Sequence, residues 1–431
     1  MDNRKTIQSV LDYIEENLKA ELSVSDLSDM TGYSLYHFYR LFQSAVGMPV
    51  MQYILRRKLL NAIYDISNGK SKVDAALLYG FETYAGFYKA FRREIGYTPS
   101  DFLKRFKVKK PYAINLLKEE QIMLTHKKIT EILKCWDLQN ESIKDIYYEE
   151  TGERHENAYY IGDKYVLKAT ANLGELKKQI SLTAAISGAG LYAADVVKTT
   201  NNEEYITDGE YYFILTERLD GSQIKPDRVY SDGYASNARF IGEIIGQLHL
   251  ALKNVDAVVN DVDIFSDVVN WAMPKVKEIG DLSDSLCEEY TANFVELYPK
   301  LPKQIIHRDP NPSNIITCDD KWGFIDFELS EKNVRIFDPC YAATAILSET
   351  FAEGDENKLE KWVEIYKEII IGYDSIVKLS DDEFKAVPYV LLSNQLIATA
   401  WFAEQEKLKD FYDVNIKMTR WIVNNFDKLK F

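Results

Sequence analysis

The feature that most constrains this chain is an internal repeat. Phe38-Tyr39-Arg40-Leu41-Phe42-Gln43-Ser44-Ala45-Val46-Gly47 recurs as Phe87-Tyr88-Lys89-Ala90-Phe91-Arg92-Arg93-Glu94-Ile95-Gly96, at a constant offset of 49 residues. Each copy follows a glycine-aromatic turn, Gly32-Tyr33 or Gly80-Phe81, and a short helix expected at 24–31 or 72–79. Each is followed by a proline, Pro49 or Pro99, which suits the first position of a new helix because its missing N–H has no intrahelical partner there. Ser23 with Asp26, and Ser71 with Asp74, supply capping pairs for the two leading helices. Short helix, glycine turn, second helix is the helix-turn-helix arrangement. Ahead of it, Ile7, Val10, Leu11, Ile14 and Leu18 share one face at helical period, so residues 3–107 read as helix broken by short turns.

On each second helix the phenylalanines at i and i+4 share a face and must be buried. That turns Tyr36, Tyr39, Arg40 and Gln43 outward in the first copy, and Tyr84, Ala85, Tyr88, Lys89, Arg92 and Arg93 in the second. From a helix lying in the major groove such side chains reach base edges and phosphates. A connecting helix at about 50–67 would let the two enter groove segments roughly 34 Å apart on one face of double-stranded DNA. Charge agrees. The whole chain of 431 residues carries a net −15, but residues 1–110 hold 17 Lys and Arg against 12 Asp and Glu, a net +5. The remainder holds 35 against 55, a net −20. A basic first quarter on an acidic protein is the distribution expected of a DNA-binding module joined to something else.

The texture changes after residues 109–128, which open on Pro111 and mix charge with isolated aliphatics, and which we take as a linker between domains at 1–108 and 129–431. IKDIYYEET, AYYIGDKYVLKA and YYFILTERL are β-branched and aromatic runs, so a small antiparallel sheet is expected. From about Gly233 helical patterns return, interrupted by one proline-containing loop and a hairpin at 305–327. The fold class is therefore multidomain: an all-α double helix-turn-helix domain followed by an α+β domain.

Within that loop stand His307-Arg308-Asp309-Pro310-Asn311-Pro312-Ser313-Asn314 and, after a hairpin turn, Gly323-Phe324-Ile325-Asp326-Phe327-Glu328. Phosphoryl transfer needs a carboxylate to orient and deprotonate the attacking hydroxyl, and oxygen ligands for Mg²⁺ on the phosphates. Asp309 fits the first role, and Asn314 and Asp326 the second. Lys168, in the apolar strand Tyr165-Val166-Leu167-Lys168, would be an unpaired charge unless it meets an anion such as a phosphate. His307 suits a structural hydrogen bond better than a base.

The first 107 residues resemble the DNA-binding domain of AraC-type regulators, most specifically in GFETYAGFYKAFRREIGYTPSDFL. The resemblance implies that Tyr36, Tyr39 and Arg40, and Tyr84, Ala85, Gly86 and Lys89, stand at base-reading positions. The second half resembles the aminoglycoside phosphotransferase and choline kinase superfamily, which implies a bilobal protein-kinase-like fold. The N-lobe would be 129–217 and the C-lobe 218–431. ATP and Mg²⁺ would be used, with transfer to a hydroxyl of a small molecule. By that likeness the backbone near Glu217 and Leu219 meets adenine, and Asp338 braces the catalytic loop. Two departures stand out. Thr151-Gly152-Glu153 is a degenerate glycine-rich loop, and Gln179 occupies the place of the glutamate that pairs with the lysine, with Glu175 one turn earlier as a substitute.

Trp271, Glu349, Tyr389, Trp401 and Glu404 are candidates for caging a cationic acceptor. Cys135, Cys287, Cys318 and Cys340 form no CxxC pair, which suits free thiols in a reducing compartment. The polar start and the lack of a long apolar run suggest a cytoplasmic protein without a membrane partner. Two readings of the second half stay open on sequence: a kinase acting on a small acceptor, or a non-catalytic sensor of ATP or ligand that controls DNA binding.

Overall fold

A computed structural model describes residues 3–111, 114–116, 124–147, 154–279, 282–405 and 409–431. The expected glycine-rich segment Thr151-Gly152-Glu153 lies outside the described residues. Two compact units emerge. The first comprises Met1–Leu173 with Val196–Arg218, and the second Gly174–Asp195 with Leu219–Phe431.

The first unit opens with seven helices, α1 Asn3–Glu16, α2 Val24–Thr31, α3 Leu35–Val46, α4 Val50–Ser67, α5 Lys72–Leu78, α6 Tyr84–Ile95 and α7 Pro99–Arg105. Both helix-turn-helix second helices are capped at each end. The Ser34 hydroxyl accepts from His37 N at the start of α3, and Thr83 accepts from Gly86 N at the start of α6. Gly47 and Gly96 close them in the left-handed conformation, which a residue with Cβ adopts only at a cost. Ser71 caps α5, but Ser23 makes no side-chain cap on α2, and only its carbonyl joins the helix, accepting from Leu27 N at 3.1 Å. Pro99 is at the first turn of α7, whereas Pro49 is the residue just outside α4. Phe38, Phe42, Phe87 and Phe91 are fully buried in one core.

After α8 (His126–Leu133) comes a five-stranded antiparallel sheet of β1 Ile143–Tyr147, β2 Arg154–Ile161, β3 Tyr165–Thr170, β4 Ile206–Asp208 and β5 Tyr211–Glu217, in the order β1-β2-β3-β5-β4. The expected linker is more structured than its composition suggests. Ile114 and Leu116 pack into the helical core, Leu124 into the core beneath the sheet, and α8 starts at His126. These isolated aliphatics are anchors, which is why charged neighbours masked them as loop.

Helix α9 (Leu173–Gly188) lies almost wholly in the second unit, so the expected N-lobe is divided: its sheet belongs to one unit and this helix to the other. The second unit continues through β6 Ser222–Gln223, α10 Pro226–Val229, α11 Tyr234–Leu252, α12 Ile264–Asp267, α13 Met273–Glu278, α14 Asp284–Leu297, β7 Lys303–Ile306, β8 Ile315–Cys318, β9 Lys321–Phe324 and β10 Glu331–Val334. It ends with α15 Phe337–Thr350, α16 Glu356–Ile376, α17 Asp381–Ala403 and α18 Lys409–Asn424. Strands β6, β8 and β9 form one small sheet and β7 and β10 another. Helices α11 and α16 touch backbone to backbone, since a Cβ at Gly242 would stand 2.0 Å from Ile369 O. α17 is long and apolar enough to cross a membrane by length and composition, although the sequence alone suggested no such run, and 72% of that window is buried within the fold.

Candidate functional site

The loop after β7 is held by a buried carboxylate. Asp338, at the start of α15 and fully buried, accepts from the backbone N–H of His307 at 2.8 Å and of Arg308 at 3.0 Å. Its own position is set by His249 of α11, whose Nε2 lies 2.9 Å away while its Nδ1 meets Tyr373 Oη at 2.8 Å. Arg308 is thereby held at φ +76°, a left-handed conformation unusual for a side chain of its size. His307 is buried and joins the two halves of the motif. Its Nε2 lies 3.0 Å from Ile325 O, and its Nδ1 accepts from Asp309 N at 3.3 Å.

Asp309 follows, with each carboxylate oxygen met by an amide. Asn311 Nδ2 donates to Oδ1 at 2.8 Å and Asn314 Nδ2 donates to Oδ2 at 3.1 Å. Burial pushes the Asp309 carboxyl above the usual carboxylate range, and nearby Asp326 pushes the same way; Asn311, His307 and the Tyr341 hydroxyl pull against it without cancelling the shift. The hairpin of β8 and β9 pairs Ile315 with Phe324, and Ile325 N donates to Asn314 O at 3.0 Å. Asn314 and Asp326 are thus brought to one end of the hairpin, with Asp326 at φ +67°. Gly323 in β9 has no room for a side chain, because a Cβ there would meet Tyr192 O at 2.3 Å and the Leu219 side chain at 2.9 Å.

The donor set suits a hard cation. With its amide nitrogen committed to Asp309, Asn314 offers its oxygen, and Asp326 offers a carboxylate, the ligand chemistry Mg²⁺ takes. Among the described residues no group of three or more His, Cys, Asp or Glu side chains forms a metal cage.

Other expected residues are placed as follows. Lys168 lies on β3, the central strand of the first unit's sheet, opposite Ile214 of β5 and Ala158 of β2. It is half-buried on the face away from the buried Leu167 and Ala169, rather than sealed inside the strand. Glu217 ends β5 and is exposed, and Leu219 is buried in the second unit. Gln179 is half-buried and Glu175 exposed on α9. Of the acceptor-cage candidates, Trp271 Nε1 donates to Glu404 Oε1 at 3.3 Å and Trp401 is 46% exposed. Tyr389 is instead core, stacked with Phe294 and packed on Tyr290 and Phe426.

Three residues escaped the sequence reading. Asn311 sat inside the motif and was legible as a second carboxamide beside Asp309. Tyr341, one turn after Asp338 on α15, gave no signal. Lys178 is the least expected: 7% exposed, it donates to Glu328 O at 2.7 Å and pairs with Glu175 at 2.5 Å, tying α9 to the segment after β9 that carries Asp326.

On the helical module, Tyr36 is 73% exposed with Arg40 over its ring at 5.9 Å, and Tyr39, Arg40 and Gln43 are exposed. Tyr84, Ala85, Tyr88, Lys89, Arg92 and Arg93 line one open depression along α6. Tyr84 and Tyr88 are half-buried rather than fully outward, because the Tyr84 ring leans on Phe87 at 5.7 Å.

The fold defines a kinase-like α/β domain led by a helical helix-turn-helix module. The chain belongs to the phosphotransferase enzyme family, whose model matches residues 149–369, and carries an AraC-type helix-turn-helix domain matched over residues 27–105. The transcriptional activator AarP of Providencia stuartii is 37% identical over 95 residues, 22% of this chain and 70% of that protein. MarA of Escherichia coli is 32% identical over 98 residues, 22% of this chain and 77% of that protein. Among solved structures, a microcompartment-associated aminopropanol kinase covers 70% of this chain and 98% of its own at 15% identity and a TM-score of 0.51. An aminoglycoside phosphotransferase from Alicyclobacillus acidocaldarius covers 73% and 98% at 16% identity and a TM-score of 0.52. These two likenesses show the fold.

Proposed function

We propose that this protein is a cytoplasmic DNA-binding regulator whose second half transfers the γ-phosphate of ATP to a hydroxyl of a small, cationic acceptor. The observation that carries the transfer reading is the Asp309 carboxylate, held at both oxygens by Asn311 and Asn314 beside Asp326. In this reading Asp309 orients the acceptor hydroxyl and takes its proton as the new O–P bond forms and the bond to the leaving ADP breaks. A raised pKa suits that task, since a base is most useful when its affinity for the proton is near the working pH. Asn314 and Asp326 hold Mg²⁺, which when bound offsets charge on the phosphates. Lys168 meets the phosphates, and the backbone at Glu217 receives adenine. The Trp271–Glu404 pair suits the ammonium group of an acceptor.

On DNA, Tyr36, Tyr39, Arg40 and Gln43 of α3, and Tyr84, Ala85, Lys89, Arg92 and Arg93 of α6, are the groups offered to bases and phosphates. Gln179, uncharged where the resemblance implies a glutamate, favours a second reading in which nucleotide or ligand is sensed without transfer.

A coupled ADP-release screen of small amino alcohols, with Asp309→Asn as control, separates the two. Acceptor-dependent release lost in the variant supports transfer; nucleotide binding with no turnover supports the sensor. For DNA, a mobility shift on the protein's own upstream region is expected to lose sequence-specific retention in Arg40→Ala plus Lys89→Ala. Unchanged retention would remove those helices from the interface.

A further inference from the structure

The joint between the helical module and the sheet, all within the first unit, is built from charge rather than grease alone. Asp145 of β1 is fully buried. Arg56 of α4 donates to its Oδ2 through Nη2, and Arg154, the first residue of β2, brings Nε within 3.4 Å of the same oxygen. His126 at the start of α8 lies 3.5 Å from Oδ1. The same groups hold the C-terminal end of α6: Arg56 Nη1 donates to Glu94 O at 3.2 Å, and His126 Nδ1 meets Arg93 O at 3.0 Å. The α6 terminus also touches β1 directly, since a Cβ at Gly96 would stand 2.7 Å from Lys144 Cα. Next to it, Tyr147 at the end of β1 sits among Tyr97, Phe102 and Phe106 with ring centroids 4.8 to 6.4 Å apart. Tyr147 and Arg154 face each other across β1 and β2.

An apolar contact can slide by an ångström at little cost. A buried carboxylate cannot trade its guanidinium for water, so breaking this one leaves an uncompensated charge. Strand β2, which carries Arg154, pairs directly with β3 at Ala158–Lys168. A displacement of β2 when phosphates engage Lys168 therefore reaches Asp145, Arg56 and the end of α6, the second DNA-facing helix.

We infer that the Asp145 cluster links nucleotide binding on the sheet to DNA binding on α6, so that each ligand alters affinity for the other. The inference rests on the function proposed above and adds to it the route of regulation. Linkage is reciprocal, and couplings of this kind change affinity by about 5- to 150-fold.

The test uses the full chain and two probes: a labelled duplex from its own upstream region at low ionic strength, and Mg²⁺ with a non-hydrolysable ATP analogue. In the wild type, saturating nucleotide is expected to change DNA affinity at least about fivefold, and saturating DNA to change nucleotide affinity by the same factor. Asp145→Asn is expected to keep both binding activities and lose the mutual effect. A wild type that binds both probes with a smaller mutual effect overturns the linkage, whatever the fold of the variant. A folded Asp145→Asn that keeps the full effect removes Asp145 from the route and also overturns it. A wild type that fails to bind one of the probes overturns the proposed function itself, a result distinct from independent binding.

Discussion

Asp309 and His126 show, one residue at a time, how burial sets chemistry here. Burial raises the Asp309 carboxyl, so the folded state favours its protonated form more than the unfolded chain does. Its contribution to stability is therefore present at acid pH and lost as pH rises through the folded pKa. Asp309→Asn should melt higher than the wild type at pH 8, with the gap closing toward pH 4, while turnover falls by about 10²- to 10⁴-fold. Thermal denaturation across pH, beside the rate, checks both; a variant that melts lower at pH 8 would contradict the desolvation argument. For His126 the sign reverses. Burial, with the Arg56 guanidinium next, pushes it down to about 4, although Asp145 is 3.5 Å away. A depressed histidine stabilises the fold above its unfolded pKa of about 6.5, and that contribution is lost as pH falls to about 4. His126→Asn should flatten the decline in melting temperature across that window. An unchanged slope would place the acid sensitivity elsewhere.

Among the elements, the tether from α9 to the segment between β9 and β10 makes the sharpest prediction. Lys178 is buried with its ammonium on Glu328 O, two residues beyond Asp326, so in the proposed site it would act by positioning that carboxylate. Lys178→Met keeps the stem and removes the donor. Loss of an outer support of a metal site costs about 10- to 100-fold in metal affinity or activity, and the Mg²⁺ concentration for half-maximal rate should rise by that order. A lower rate at unchanged Mg²⁺ dependence would make Lys178 merely structural. The elements themselves were legible because their signals are local: the 49-residue repeat, the Ser71 cap, and the β8–β9 hairpin between Asn314 and Asp326. Lys178 was not, because its partner lies 150 residues away and a lysine on an exposed-looking helix reads as solvated. Tyr389 failed in the opposite sense, since an aromatic on an apolar helix is equally compatible with pocket and core, and only packing decides.

For the molecule as a whole, sequence separated a basic helical quarter from an acidic remainder, and it located the motif of Asp309, Asn314 and Asp326 within the larger part. It did not disclose how the helical module joins the sheet. Arg56 and Asp145 are 89 residues apart, and each alone is an ordinary charged residue on an amphipathic element. Nor did it foresee that Ile114, Leu116 and Leu124 turn the expected linker into part of two cores. The central claim is that Asp309, Asn314 and Asp326 act together in phosphoryl transfer. The most direct measurement is phosphorus NMR of the wild-type chain with Mg²⁺, ATP and a panel of small amino alcohols. A new phosphomonoester resonance, growing as the γ-phosphate signal decays and missing with Asp309→Asn, is the predicted result. Persistent ATP across the panel, in a chain shown to bind it, would contradict the account.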